Sequence, residues 1–350
     1  MRIRSYHIIN IVTVILICMI TVSCKKDNVQ QVEIAPWFEN KEAAVSLTFD
    51  DGTDDQLFYA VPLLEVLQLK GTFYLITSQI KDVPAWQKLY ADGHEIGSHS
   101  MNHHNLKQLD RKSVRRELRM SYENIKELFL EQKCFSIAYP FGGMDDGIVR
   151  AAYKYYTAGR SARKSESYIN TYDNMNLFDL KAYGISSKSQ YDEISAMVEE
   201  TINNSGWLIE TVHGIKNPDD QRENIPQSGW EPVHCNILVD HYQWLKQNQH
   251  RLWIAPLSTV ARYVHERRNT VLFWRNISSD SMQVQLHNTD SEVRCLVPLT
   301  INIILKKNIA IRLVEQEDTI IPHKCNENIC RINVLPGSRP IIFTLTRSRE

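Results

Sequence analysis

Residues 45–55, VSLTFDDGTDD, run five β-prone or apolar positions into two adjacent aspartates, then a glycine, a threonine and two more aspartates. The first five, 45–49, read as a strand. Neighbouring ionised carboxylates at a strand end repel, and holding both there costs stability unless a cation, a proton or a partner compensates. A solvated turn is the plain alternative, because Asp and Gly are ordinary turn residues. The surrounding chain has to decide between the two.

Outward from this strand, short apolar runs alternate with amphipathic stretches from Ala44 to about Glu266. That alternation is the pattern of βα units and predicts an α/β parallel sheet or barrel. Further strands are expected at 72–76, 95–98, 135–139, 156–158, 180–185, 208–212 and 252–255. Leu57, Val61, Leu64 and Leu67 share one helical face, as do Val114, Leu118, Tyr122, Ile125 and Phe129, with Asp110 placed to cap. Ser189 with Asp192 reads as a capping box for a helix carrying Ile194, Val198 and Ile202. Beyond VARYVHERRNT (260–270) the periodicity changes to two, in TVLFWRN, MQVQLHN, LTINIIL, AIRLVEQ, CRINVL and PIIFTLT. Such a run predicts a small all-β sandwich of about 80 residues.

The N-terminal residues differ from the rest: Arg2 and Arg4, an apolar run over 8–20, then TVSC ending at Cys24. This is an export signal, too short and interrupted for a comfortable membrane span. Ser23–Cys24 resembles the cleavage site of bacterial lipoproteins, which implies lipidation of Cys24; a cleaved secretory signal or an uncleaved anchor is the alternative. The expected organisation is a signal segment (1–24), an N-terminal tether (25–43), an α/β barrel (44–268) and a C-terminal β-sandwich (269–350). With a formal net charge of -1 over 350 residues, the chain lacks the bulk basic footprint of a nucleic-acid binder.

Of seven cysteines, five remain if Cys18 leaves with the signal and Cys24 carries lipid: Cys134, Cys235, Cys295, Cys325 and Cys330. Cys325 and Cys330 flank NENI and are either a hairpin disulfide or two free thiols. The chain has no CxxC, so a cysteine-based zinc site is not expected.

The segment GHEIGSHSMNHHNL (93–106) places His99 and His103 four apart, which brings two imidazoles together if the segment turns helically. Two histidines and one carboxylate can make a three-ligand zinc site with an open position. Among 12 histidines a chance pair four apart is common, so the strand-terminal aspartates carry the specificity. His94 reads as structural, and His104 as a residue supporting the ligands or leading into the next helix. In SIAYPFGG (136–143) a rigid proline and paired glycines let backbone amides approach a ligand closely. His213 directly follows an apolar strand in WLIETVHGI (207–215) and is either a core histidine or a member of the same rim.

TFDDG (48–52), HSMNH (99–103), YPFG (139–142) and VHG (212–214) resemble, in order and spacing, the motifs of polysaccharide deacetylases of carbohydrate esterase family four, over residues 44–266. The resemblance implies a distorted (β/α) barrel, a divalent metal (usually Zn2+) and hydrolysis of an acetyl group on a sugar. It makes Asp51, His99 and His103 the metal ligands, Asp50 the general base and His213 the general acid. The Tyr139, Pro140, Phe141 and Gly142 turn would then stabilise the oxyanion through a backbone N–H near Phe141.

Two departures stand out. Ala138 replaces an arginine that usually orients the catalytic aspartate, so another cation is needed, Arg160 ahead of Arg163 or Lys181. Thr211 replaces a leucine of the acetyl pocket. Trp207 and Trp230 read as the aromatics nearest the rim, with Trp230 in a long loop that either folds over a sugar chain or anchors itself.

The expected activity is metal-dependent N-deacetylation of N-acetylhexosamine units in an acetylated polysaccharide or oligosaccharide, by a protein lipid-anchored at a bacterial cell envelope. O-deacetylation of acetylated plant polysaccharide such as xylan is the alternative. A non-catalytic, glycan-binding surface lipoprotein is the reading from another class.

Overall fold

The computed structural model describes residues 28–162, 167–173, 175–290 and 296–347. The export signal, Cys24, Arg163 and Cys295 lie outside the described residues. In chain order the first eleven strands are β1 (Val29–Ile34), β2 (Ala43–Phe49), β3 (Thr72–Leu75), β4 (Glu95–Ser98), β5 (Ile137–Ala138), β6 (Gly159–Arg160), β7 (Tyr183–Ile185), β8 (Trp207–Val212), β9 (Ile215–Lys216), β10 (Val233–His234) and β11 (Leu252–Ile254). The helices are α1 (Val61–Leu67), α2 (Val83–Ala91), α3 (Arg111–Leu128), α4 (Asp146–Ala152), α5 (Tyr191–Asn203), α6 (Cys235–Gln247) and α7 (Leu257–Arg268).

Eight strands form one curled parallel sheet in the order β6-β5-β4-β3-β2-β8-β7, with β11 also paired to β2. The fold is therefore α/β, a distorted barrel. Central strand β2 is buried along its whole length. Its period of two sends Val45, Leu47 and Phe49 into the main core, where Phe49 stacks on Phe73 at 4.7 Å. Ser46 and Thr48 alternate with them and are satisfied by the carbonyls of Ala255 and Glu210. The same alternation fixes where the residues after Phe49 must point.

Strands β12 (Thr270–Asn276), β13 (Ser281–Asn288), β14 (Leu299–Leu305), β15 (Ile309–Gln316), β16 (Thr319–Ile320), β17 (His323–Asn326), β18 (Ile329–Val334) and β19 (Gly337–Arg347) follow α7. They form two antiparallel sheets, β1-β14-β18-β17 and β12-β13-β19-β15-β16. Val29, Met282, Val284, Ile301, Ile303 and Phe343 belong to the single apolar cluster between them. Strand β1, in the stretch expected to be a tether, pairs antiparallel with β14. Tyr263 of α7 donates to the Ala35 carbonyl at 3.0 Å and packs its ring on Trp253 and Phe38. Cys325 and Cys330 face each other across β17 and β18 and form a disulfide. Cys134 is also disulfide-bonded, and Cys235 carries a free thiol.

Several local expectations differ from the structure. The strand expected at 156–158 falls at Gly159–Arg160, because the ladder from β5 runs through Ile137 N–H to Ala158 O and Tyr139 N–H to Arg160 O. Helix α5 has Gln190 as its N-cap, without a side-chain cap, because the Ser189 hydroxyl instead accepts from the Ser186 amide. Asp110 does cap α3, accepting from the amides of Lys112 and Ser113. Among the described residues no helix is long and apolar enough to cross a membrane.

On the helix-facing side of β8, Glu210 meets His241 of α6 at 2.7 Å, with both side chains fully buried. Glu210→Ala removes the carboxylate that this imidazole nitrogen meets and leaves a cavity. The expected result is a loss of about 2–4 kcal/mol in unfolding free energy by urea denaturation. An unchanged midpoint would show that the pair does not support the fold.

Candidate active site

Five strand ends converge on one rim, the place where parallel βα folds gather their chemistry. After β2 the backbone turns left-handed at Asp51 (φ 77°) and Gly52 (φ 67°). A Cβ on Gly52 would lie 2.6 Å from Leu75 Cδ2, so only glycine lets the turn sit this close to β3. Asp50 continues the inward alternation of Ser46 and Thr48 and is buried, while Asp51 reaches the open cleft.

After β4 the segment carrying His99 and His103 is a loop, in contrast to the helical turn that their spacing suggested. Ser100 (φ 63°) and His103 (φ 59°) both take left-handed backbone, and this brings the two Nε2 atoms to 3.2 Å. The loop is held by Glu117, buried on α3, which accepts from the Asn102 amide at 2.9 Å and its side chain at 2.7 Å. His104 borders the same carboxylate at 3.3 Å and lies on the outside. His94 is structural: burial, aided by the nearby Lys70 charge, lowers it to about 4, and its Nδ1 accepts from the Gly71 amide.

Asp51 Oδ1 lies 3.6 Å from His99 Nε2 and 3.5 Å from His103 Nε2. One ligand atom from each of the three residues falls within 4.8 Å of the others. Since the Ala138 carbonyl can only accept, its 2.8 Å contact puts the hydrogen on His99 Nδ1 and leaves the Nε2 lone pair facing Asp51. Burial also lowers the pKa of His99, against the pull of Asp50 and Asp51, which favours the neutral, ligating imidazole. Asp51 Oδ1 is buried without a hydrogen-bond partner. An orphaned carboxylate oxygen between two imidazole nitrogens fits a divalent cation.

Asp50 sits beside this cluster, with Oδ2 3.9 Å from His99 Nε2 and 3.6 Å from His213 Nε2. Arg160 Nη2 donates to both of its oxygens at 2.5 and 2.6 Å, and both side chains are almost fully buried. Burial alone would raise the Asp50 pKa. The Arg160 guanidinium, followed by His99 and His213, outweighs it and holds the carboxyl at about 2. Of the three candidate cations Arg160 reaches Asp50, and Lys181 is tied through its backbone to Asn170.

Tyr139, Pro140 and Gly142 are buried in the turn after β5, and Phe141 (φ 56°) stands 68% exposed with its ring 4.7 Å from that of His103. The amides of Gly142 and Gly143 close this turn by bonding Tyr139 O and Pro140 O, whereas that of Phe141 takes no part in either bond. Trp230 is 62% exposed and meets His213 edge-on at 4.9 Å. Trp207, expected near the rim, is instead fully buried at the opposite end of β8, its indole N–H bonded to Ser46. The cleft holds about 730 Å³, and Tyr168, Gly184, Ile185 and Thr211 also line it.

Two residues essential to this geometry escaped the sequence reading. By residue type Asp54 and Asp55 fit helix N-terminal capping as well as a catalytic duty, but Asp55 makes no side-chain cap. It is buried and accepts from the Ile215 amide at 2.6 Å and the Gly229 amide at 3.0 Å, pinning both ends of the loop that presents Trp230. Gln56 opens a π-helix over Gln56–Ala60 and donates to the carbonyls of Asp50 (2.5 Å) and His213 (2.7 Å). The available signal was the surplus of carboxylates in DDGTDD, which exceeded what one cap requires.

Comparison with known proteins agrees with this geometry. Residues 39–158 match the family described as Polysaccharide deacetylase. A gellan lyase of Bacillus sp is 24% identical over 254 residues, covering 67% of this chain and 10% of that protein. A chitooligosaccharide deacetylase of Sinorhizobium fredii is 30% identical over 110 residues, 30% of this chain and 50% of the relative. A peptidoglycan-N-acetylglucosamine deacetylase of Bacillus cereus is 37% identical over 68 residues, 18% and 31% respectively. The chain thus spans half or less of the length of these curated relatives. The family match covers the strand ends bearing Asp50, Asp51, His99, His103 and the Tyr139–Gly142 turn, and over these residues the chain is similar to the polysaccharide deacetylase family.

Proposed function

We propose that this protein is a metal-dependent deacetylase that removes N-acetyl groups from N-acetylhexosamine units of a polysaccharide or oligosaccharide. The observation that carries the reading is the Asp51–His99–His103 cluster, flanked in one cleft by the buried Asp50–Arg160 pair and by His213. The Sinorhizobium relative is a chitooligosaccharide deacetylase and the Bacillus cereus relative a peptidoglycan-N-acetylglucosamine deacetylase, which supports N-acetylglucosamine as the sugar.

Asp51, His99 and His103 would hold the cation, and the two-nitrogen, one-oxygen donor set suits zinc. When bound, such a cation supplies Lewis acidity, polarising an acyl carbonyl and easing deprotonation of a nearby water. Asp50, which is not a ligand in this scheme, accepts that proton; Arg160 keeps its carboxylate ionised and oriented. His213 donates a proton to the departing sugar nitrogen. The Phe141 N–H is the backbone donor for the developing oxyanion. Phe141 and Trp230 offer two exposed rings on either side of the histidines, against which sugar faces can pack. We place catalysis in the barrel (44–268) and assign the C-terminal sandwich (269–350) to bracing it through Tyr263 and β1. The N-terminal signal and Cys24 support export and lipid anchoring at the cell envelope.

The deciding experiment is acetate release from chitin oligomers, peptidoglycan and acetylated xylan. Release from the first two supports N-deacetylation, and release from xylan alone replaces the amide by an ester. Glycan binding without acetate release, with or without added zinc, would make the protein a binding module.

His103→Ala is expected to lose stoichiometric zinc by elemental analysis while keeping its circular dichroism spectrum; unchanged metal content would sink the ligand assignment. Asp50→Asn should keep the metal and lose about 100-fold or more in kcat. Turnover like that of the wild type would remove Asp50 as base.

A pH profile probes Arg160 directly. Asp50 works only in its ionised form, above its pKa, and Arg160 holds that pKa at about 2 against burial. Arg160→Met leaves burial less opposed, so the acid limb of kcat/KM should move to higher pH by about one to three pH units. An unmoved limb would assign that limb to another group.

A further inference from the structure

A second groove of about 720 Å³ opens beside the catalytic cleft, between the loop before α3 and the start of α4. Leu106, Leu109, Ile148 and Tyr155 contribute an apolar floor, and Lys107, Arg111, Arg115, Arg150 and Lys154 line the same cavity. The carboxylates on it are Asp145 and Asp146, and Asp145 is already occupied capping α4 through the amides of Gly147 and Ile148. Lys107, Arg111, Arg115 and Arg150 are exposed and make no ion pair among the described residues, whereas Arg119, further along α3, pairs with Glu123. Five like charges facing one concavity repel one another and concentrate anions there. In a chain whose formal net charge is -1, this positive field is local.

The groove lies near the catalytic cleft along the chain. The chain leaving His103 reaches Lys107 in four residues, and the chain leaving Phe141 reaches Asp145 in four, each span at most about 14 Å. The two segments touch where Asn105 packs on Gly143, a contact so close that a Cβ on Gly143 would lie 2.7 Å from Asn105 Oδ1. An extended polymer lying across Phe141 is long enough to reach the basic groove.

We propose that this groove binds an anionic glycan strand, bearing carboxylate or phosphate groups along its length, and that it holds the substrate polymer beyond the catalytic cleft. The inference rests on the deacetylase reading for its link to substrate. The cation-lined rim selects charge and the apolar floor accommodates ring faces. Its one aromatic, Tyr155, is half-buried, so the groove has no row of exposed rings on which successive nucleic-acid bases could stack.

The test compares the full-length wild-type protein with the exposed-surface variant Arg111→Gln/Arg115→Gln/Arg150→Gln. Calorimetry would measure binding of oligogalacturonate (carboxylate), a glycerol-phosphate teichoic acid (phosphate), a neutral chito-oligosaccharide of matched length and single-stranded DNA. We expect at least one anionic glycan to bind wild type about tenfold more tightly than the neutral oligomer. Raising salt from about 50 to 500 mM should erase that preference, and the triple variant should lack it. The arm that binds identifies the anion. Acetate release from a short neutral chito-oligosaccharide should be the same in both proteins, and its absence from both would remove that oligomer as a substrate while leaving the groove measurement intact. No preference for either anionic glycan, a preference that survives in the triple variant, or equal affinity for DNA would each overturn the proposal.

Discussion

The contact on which the rest of the site depends is the one between Arg160 and Asp50. Two charges taken from water into a closed interior cost several kcal/mol each unless they satisfy one another. Here one guanidinium nitrogen donates to both carboxylate oxygens. The same arginine lies 5.2 Å from the centre of the Tyr74 ring, and its carbonyl accepts from the Tyr139 amide. One residue of a two-residue strand therefore ties the ends of β2, β3 and β5 together. With Asp50 neutralised from behind, Asp51 can face two imidazoles without two unbalanced carboxylates competing at the end of β2.

Around that pair the backbone takes conformations it would not choose alone. Asp51, Ser100, His103 and Phe141 all have positive φ, and each flanks or carries a functional group. Such residues cost of order 1–3 kcal/mol apiece and persist only where surrounding bonds over-determine them. Those bonds are identifiable. Ser100 Oγ holds the His103 amide, Glu117 holds Asn102, Gln56 joins the Asp50 and His213 carbonyls, and Asp55 fastens the loop leading to Trp230. The polar residues behind the site act as its frame, and their burial is the cost of that frame.

Much of the β-sandwich was legible because two-residue alternation survives with little interference from tertiary context. Trp274 packs into its core while neighbouring Phe273 stays exposed, as pleating requires. Strand β1 was not legible, since an edge strand near the chain terminus pairs with residues some 270 positions later and leaves no local trace. The short strand β6 was misplaced for a similar reason: a two-residue ladder is set by its neighbours, not by propensity.

The amino-acid sequence by itself determined the order of chemistry along the rim: which strand ends carry carboxylates, imidazoles and the proline turn, and that β2 must point Asp50 inward. Those features depend on residue type and a period of two, which are local. Tertiary structure alone decided which cation serves Asp50, that Asp55 and Gln56 act as struts behind the site, and that five cations from α3, α4 and their flanking loops face one groove. Each of these joins residues far apart in the chain, and such pairings exist only once the sheet has curled.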